Sequence, residues 1–134
     1  MKVKMIDFYG KMPERAHYND AGLDCFAARQ TIIAPDCRAK VPLGFGLELP
    51  DGYVAFLLPR SSLNARGVRV EIGTIDAGYR GEIQAVVHNA TPARLIIDLD
   101  MKIAQLVVMP VTYVELVKDL VNDRKENGFG SSGK

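Results

Sequence analysis

The sequence predicts an all-β domain, a sandwich or a barrel, and three observations carry that prediction. Pro or Gly recurs roughly every eight to twelve residues along the chain. The runs between these breakers are short and rich in Val, Ile, Leu and aromatic residues, the types that suit a pleated surface with one packed face. Only SSLNAR, at 61–66, has room for a helical turn, with Ser61 or Ser62 expected as its cap.

The strands follow in order from their breakers. Residues 3–6 (VKMI) run up to Gly10, 23–27 (LDCFA) begin after Gly22, and 29–33 (RQTII) end before Pro35. Residues 45–49 (FGLEL) lie between Gly44 and Pro50, and 53–58 (YVAFLL) between Gly52 and Pro59. Next come 68–72 (VRVEI), framed by Gly67 and Gly73, then 81–88 (GEIQAVVH), and 94–98 (RLIID) after Pro92. The last strand, 102–116, is expected to break at Pro110, which has no ladder donor. Beyond it, NDRKENGFGSSGK loses all apolar periodicity except for Phe129 and reads as a mobile tail.

A chain of 134 residues, 48% hydrophobic and 25% charged, has enough apolar material for one domain with its own core. Its net charge of +1 gives no field directed at nucleic acid or at an anionic membrane, so neither is an expected partner and any anion site is local. Cys25 and Cys37 are too few for a disulfide framework, and the two histidines, His17 and His88, are isolated, so a structural zinc site is not supported. Both thiols are expected buried and reduced. The start MKVKMIDFYG is too polar for a signal peptide, and no apolar stretch approaches the ~18 residues of a membrane span, so the chain reads as cytoplasmic.

Four stretches resist a purely structural description. PRSSLNARGV, at 59–68, places Arg60, Ser61 and Ser62 where a helix starts, a place whose free N–H groups favour anions, although a serine cap and a solvated arginine would explain the same residues. Gln105 is the one amide within KIAQLVVMPV and must find partners, either backbone or ligand. Phe129 stands between glycines that hold it in no strand or helix, five residues after Arg124. GTIDAGYRGEI, at 73–83, ends a β-branched run on Asp76 and presents Tyr79 between Gly78 and Gly81, which an ordinary hairpin would also explain.

Together, AGLDCFA (21–27), PRSSLNARG (59–67), GTIDAGYRGEI (73–83), KIAQLVV (102–108) and RKENGFGSSG (124–133) resemble the five ordered motifs of the trimeric dUTP pyrophosphatases, the dUTPases. The resemblance implies a jelly-roll-like (β-clip) fold, with 1–121 as a β-barrel catalytic domain and 122–134 as a flexible C-terminal lid. It also implies a homotrimer with active sites at subunit boundaries and Mg²⁺-dependent cleavage of dUTP to dUMP and pyrophosphate. By the same resemblance Asp76 is the general base that activates water against the α-phosphorus, and Tyr79 lies against the deoxyribose where a 2′-hydroxyl would clash. Gly73, Thr74 and Ile75 read the uracil edge through their backbone, with Gln84 bordering the site. Arg60, Ser61, Ser62, Gln105 and Arg124 meet the triphosphate, Phe129 caps the base, and Gly130 and Ser131 add close contacts. Asp24 is implied as an outer-sphere partner of Mg²⁺, through water. Arg80 and Glu82 are read as structural.

The chain departs from the family pattern in places. The segment between Arg60 and Asp76 is a few residues shorter, Gly78 replaces a frequent acidic residue, and Lys102 stands where arginine is usual. A related family of the same fold, the dCTP deaminases, carries a proton-relaying glutamate ten residues beyond the aspartate, and here that residue is Val86. Valine moves no proton, which argues against deamination. The other alternative is a nucleotide-binding regulator of this fold that acts through a protein partner.

Overall fold

The structure, a computed structural model, describes residues 1–121. Eleven strands and one helical turn occur among them. In chain order they are β1 (Lys4–Asp7), β2 (Leu23–Phe26), β3 (Thr31–Ile33), β4 (Arg38–Pro42), β5 (Phe45–Glu48), β6 (Tyr53–Leu58), α1 (Ser61–Asn64), β7 (Val68–Val70), β8 (Gly73–Ile75), β9 (Gln84–Asn89), β10 (Leu95–Ile97) and β11 (Lys102–Pro110). They build four sheets: β2-β11-β6-β8, β4-β9-β7, β1-β5 and β10-β3. Every pairing is antiparallel. None of the sheets closes on itself among the described residues, so the expected barrel is instead a set of small sheets sharing one core.

Period-two alternation places that core. Along β9, Ala85, Val87 and Asn89 are buried while Gln84, Val86 and His88 face outward. The buried Asn89 is satisfied on every side: its Nδ2 donates to the carbonyls of Ile33 (3.0 Å) and Ala93 (2.8 Å), and its Oδ1 accepts from Thr91 N and Oγ1. That wiring turns the chain between β9 and β10 at little cost in desolvation.

Several boundaries differ from the sequence reading for identifiable reasons. β4 was not expected, because RAKVP is charged and contains Pro, yet it is an edge strand, where Lys and Pro are tolerated. The expected 29–33 strand begins only at Thr31, 81–88 only at Gln84, and 68–72 stops at Val70 before β8. The helical turn has Arg60, not a serine, at its N-cap, and no side chain caps it. β11 includes Pro110 at its end, paired with Tyr53, and 111–116 does not continue it.

After Pro110 the chain is pinned briefly to Gly52: Val111 N donates to its carbonyl (2.9 Å), and its N–H donates to Tyr113 Oη (2.8 Å). Thereafter Val114, Leu116, Val117, Leu120 and Val121 are exposed, Leu116 at 92%. No partner strand for this apolar run exists among the described residues.

Both cysteines are free thiols, but only Cys25 is buried as expected; Cys37 is exposed, in the turn before β4. Burial, helped by the neighbouring Asp24 carboxylate, pushes the Cys25 thiol from 9.0 up to about 12. The folded state therefore holds this proton to higher pH than the unfolded chain does. Its contribution to stability is intact below pH 9 and is lost as pH rises toward 12. Melting curves across that window should fall by on the order of 1 kcal/mol per pH unit more steeply for the wild type than for Cys25→Ala. Equal slopes would mean that another group governs alkaline unfolding.

Candidate active site

The expected site residues that are described fall into two clusters within one chain. The first lies where β2, β11 and the end of β6 meet. Gln105 is opposite Asp24 on one side and Leu58 on the other, so the sheet register sets amide and carboxylate side by side. Gln105 Nε2 donates to Pro59 O (3.1 Å), which fixes the turn that delivers Arg60, Ser61 and Ser62. Gly22 makes room for this amide: a Cβ there would sit 2.5 Å from Gln105 Oε1. Asp24, whose side chain is only 18% exposed, lies 3.8 Å from Arg60 Nε and 3.5 Å from Lys102 Nζ. Arg60 is held further by its bond to the Lys102 carbonyl (3.2 Å). Ser61 and Ser62 are exposed on α1. One carboxylate against two cations leaves the cluster net positive, which suits an anion.

The second cluster surrounds β8 and the turn to β9. A cavity of about 270 Å³ is lined by Gly73, Thr74, Ile75, Tyr79 and Gln84, together with Lys40. Asp76 lies between Ile75 and Tyr79, both of which line the cavity, and its side chain is exposed. Tyr79 N donates to Asp76 O (3.1 Å), and Tyr79 Oη donates to Glu82 O (2.8 Å). The ring then lies so close to Gly81 that a Cβ there would meet Tyr79 Oη at 2.5 Å. Gly81 is thus required by the ring, whereas the space around Gly78 is open. Arg80 clasps the Ala77 carbonyl, and Glu82 accepts the Gly44 N–H (3.0 Å), so both hold the hairpin in shape.

The two clusters leave β6 in opposite directions. Gly73 is opposite Leu57 and Ile75 opposite Ala55, so Asp76 heads away from the Leu58 end, where Arg60 emerges. At about 3.3 Å per residue they stand more than ~10 Å apart along the strand. Arg124, Phe129, Gly130 and Ser131 lie outside the described residues. A larger cavity of about 490 Å³, lined mostly by apolar side chains such as Met1, Val3, Met5, Leu47, Leu106 and Val108, contains none of the expected site residues and offers little to a triphosphate.

A family model described as dUTPase matches residues 9–133. The chain belongs to the dUTPase family. Proteins named deoxyuridine 5'-triphosphate nucleotidohydrolase from Clostridium tetani and Gloeobacter violaceus are similar to it. The first is 41% identical, covering 100% of this chain and 97% of the relative, and the second 45%, covering 91% and 88%. Among solved structures, the dUTPase of phage phi11 of S. aureus superposes with a TM-score of 0.86 at 25% identity over 92% of this chain and 99% of its own. A mutant Staphylococcus bacteriophage 80alpha dUTPase with dUpNHpp gives a TM-score of 0.85 at 27% identity over 98% of both chains. A structural Mg(II) ion is described for a mutant of the phi11 enzyme.

Two residues of this dUTPase-family chain had no assigned part in the sequence reading: Lys102, which shares Asp24 with Arg60, and Lys40, in the wall of the second cavity. Register is the signal that finds them, since Lys102 enters β11 opposite Phe26 and Lys40 is opposite Val86. Among the described residues no three His, Cys, Asp or Glu side chains gather as a metal cage.

Proposed function

We propose that this chain hydrolyses dUTP to dUMP and pyrophosphate. The observation that carries this reading is the exposed Asp76 carboxylate, set between two residues that line a pocket of about 270 Å³. Asp76 takes a proton from water as the water oxygen bonds to the α-phosphorus, and the bond from that phosphorus to the pyrophosphate oxygen breaks. Gly73, Thr74 and Ile75 read the base, and Gln84 borders it. Tyr79, fixed by Glu82 and seated over Gly81, packs against the sugar.

Arg60, Ser61, Ser62 and Gln105 receive the triphosphate, and Arg124 compensates the charge of the departing pyrophosphate. Phe129, Gly130 and Ser131 close over the nucleotide, with 122–134 acting as the closing segment of the 1–121 catalytic body. The donor set of the first cluster fits an Mg²⁺ ion that arrives on the triphosphate and is met through water at Asp24, rather than one caged by protein ligands. Bound in this way, Mg²⁺ neutralises charge on the phosphate oxygens.

Two observations support a homotrimer with shared sites. Asp76 and Arg60 point toward opposite ends of β6, so one nucleotide is served better by clusters from different copies. The exposed apolar run after Pro110 is surface of the kind that association covers. No helix among the described residues is long and apolar enough to cross a membrane, and the enzyme is proposed to act in the cytoplasm.

Incubation of the protein and Mg²⁺ separately with dUTP, dCTP, dTTP and UTP, with pyrophosphate and ammonia measured, tests the reading. Pyrophosphate from dUTP alone is expected. Ammonia from dCTP would identify a deaminase, and binding of dUTP without turnover would identify a regulator. Replacement of Tyr79 by Ala should raise kcat/KM for UTP relative to dUTP by about tenfold or more, because the wall against a 2′-hydroxyl is gone. An unchanged preference would remove Tyr79 from sugar selection.

A further inference from the structure

We infer that Glu82 is a positioning residue for sugar selection: its carboxylate anchors the peptide that holds the Tyr79 phenol. This inference rests on the reading of Tyr79 as the wall against a 2′-hydroxyl. Glu82 joins two distant parts of the chain. Its main-chain carbonyl accepts the Tyr79 hydroxyl (2.8 Å), and its side-chain Oε2 accepts the Gly44 N–H (3.0 Å) from the turn between β4 and β5. Tyr79 is 47% exposed, so packing alone does not hold the ring, and the phenol bond sets where it stands. Glu82 has no ion-pair partner among the described residues, and its carboxylate is committed to a backbone amide instead.

The anchor is rigid. Gly44 is buried at φ +76°, and a Cβ there would sit 2.3 Å from Gly10 Cα, so only glycine fits. Its carbonyl is held as well, accepting from Phe8 N (3.0 Å) and Gly10 N (3.2 Å). A buried N–H must find an acceptor, and for Gly44 that acceptor is the Glu82 carboxylate. The hairpin also passes close over β5, since a Cβ on Gly46 would lie 2.6 Å from Gly81 O.

The phenol is received by the peptide that links Glu82 to Ile83, whose N–H donates to Phe45 O (2.8 Å). One hydrogen bond is a pivot about which this peptide, and the tyrosine with it, can swing. The bond from Gly44 N–H to the Glu82 carboxylate is a second fixed point one residue away, and it stops that swing. Discrimination against a single hydroxyl depends on this. A ring excludes an oxygen atom only while it is held to within about 0.5 Å, because a larger retreat opens room for that atom. Loss of the carboxylate anchor therefore relaxes sugar selection without removing any group proposed to meet the phosphates.

The test measures kcat/KM for dUTP and for UTP, beside thermal melts, in Glu82→Gln, Glu82→Asp, Glu82→Ala, Tyr79→Ala and the double variant of Glu82→Ala with Tyr79→Ala. Glutamine keeps an acceptor at the same reach without the charge, whereas aspartate keeps the charge and falls one methylene short. Glu82→Gln should therefore retain the preference for dUTP, while Glu82→Asp and Glu82→Ala should lower it by about three- to tenfold. In the double variant the preference should equal that of Tyr79→Ala alone, because Glu82 acts through the ring. A brace with no positioning role would lower the melting temperature and leave the ratio of dUTP to UTP as it is, and that result overturns the inference. A loss in Glu82→Gln as large as in Glu82→Asp, or additive losses in the double variant, overturns it too. Should Glu82→Ala fail to fold, the ratio in Glu82→Gln against Glu82→Asp decides alone. An unchanged ratio in Tyr79→Ala removes the sugar-wall reading and the inference with it, whereas a relaxed ratio there beside an unchanged one in Glu82→Asp removes Glu82 only.

Discussion

Asp76→Asn should slow dUTP turnover by about 10²- to 10⁴-fold, the usual range for a positioned general base, while fold and assembly stay intact. Asparagine keeps the size and one acceptor oxygen of the carboxylate but cannot take the water proton. Asp76 is exposed, and its backbone carbonyl, which accepts from Tyr79 N, is untouched by the change. The melting temperature and KM should therefore move little and kcat alone should fall. Turnover near the wild-type rate would show that another group activates the water. A parallel loss of thermal stability would instead mark Asp76 as a prop of the hairpin.

Ending the chain after Asp123 should abolish most activity yet leave the melting temperature of the unliganded protein almost unchanged. Every buried apolar residue among those described lies between Cys25 and Leu106, so the truncation removes none of that core. It removes Arg124 and Phe129 together. Loss of one preorganised electrostatic donor alone costs about 10²- to 10³-fold in kcat, and loss of the closing ring lets water compete for the site. Full activity in the truncated protein would dismiss the closing role. A large drop in melting temperature without ligand would make the segment part of the structural body.

Most of the strand set was legible because breakers and β-branched runs alternate plainly. Breaker spacing announces β5 and β6, since Gly44, Pro50, Gly52 and Pro59 mark both ends of each. β4 escaped because composition cannot distinguish a loop from an edge strand, and RAKVP suits either. The run from 111 to 116 is as apolar as a strand, but strand formation needs a partner, and sequence does not reveal where partners are. The same limit applied to the site. Motif order pointed to Asp24, Arg60, Asp76, Tyr79 and Gln105 as residues bearing chemistry. Their division into two clusters follows from the register of β6 against β8 and β11, which is a pairwise property of the fold. Gln105 illustrates the overlap of roles: its amide bonds backbone, as a structural glutamine does, and the backbone it holds is the turn that bears Arg60.

The pairing of β2 with β11, and of β3 with β10, joins positions near residue 25 to positions near 105 and positions near 32 to positions near 96. Loops of that length must close before either contact yields any free energy, which places the domain among slow-folding topologies, on a scale of milliseconds to seconds. On the ribosome the consequence is sharper. β11 links β2 to β6 in its sheet, and among the described residues it is the last strand to be synthesised. Until it has cleared the exit tunnel, β2 is held only by its bridge to Glu14, and β6 only by β8. The sheet that joins β2 to β6 therefore cannot be completed before β11 emerges. That closure comes late, and uncovered apolar surface before it is where chaperone protection matters most.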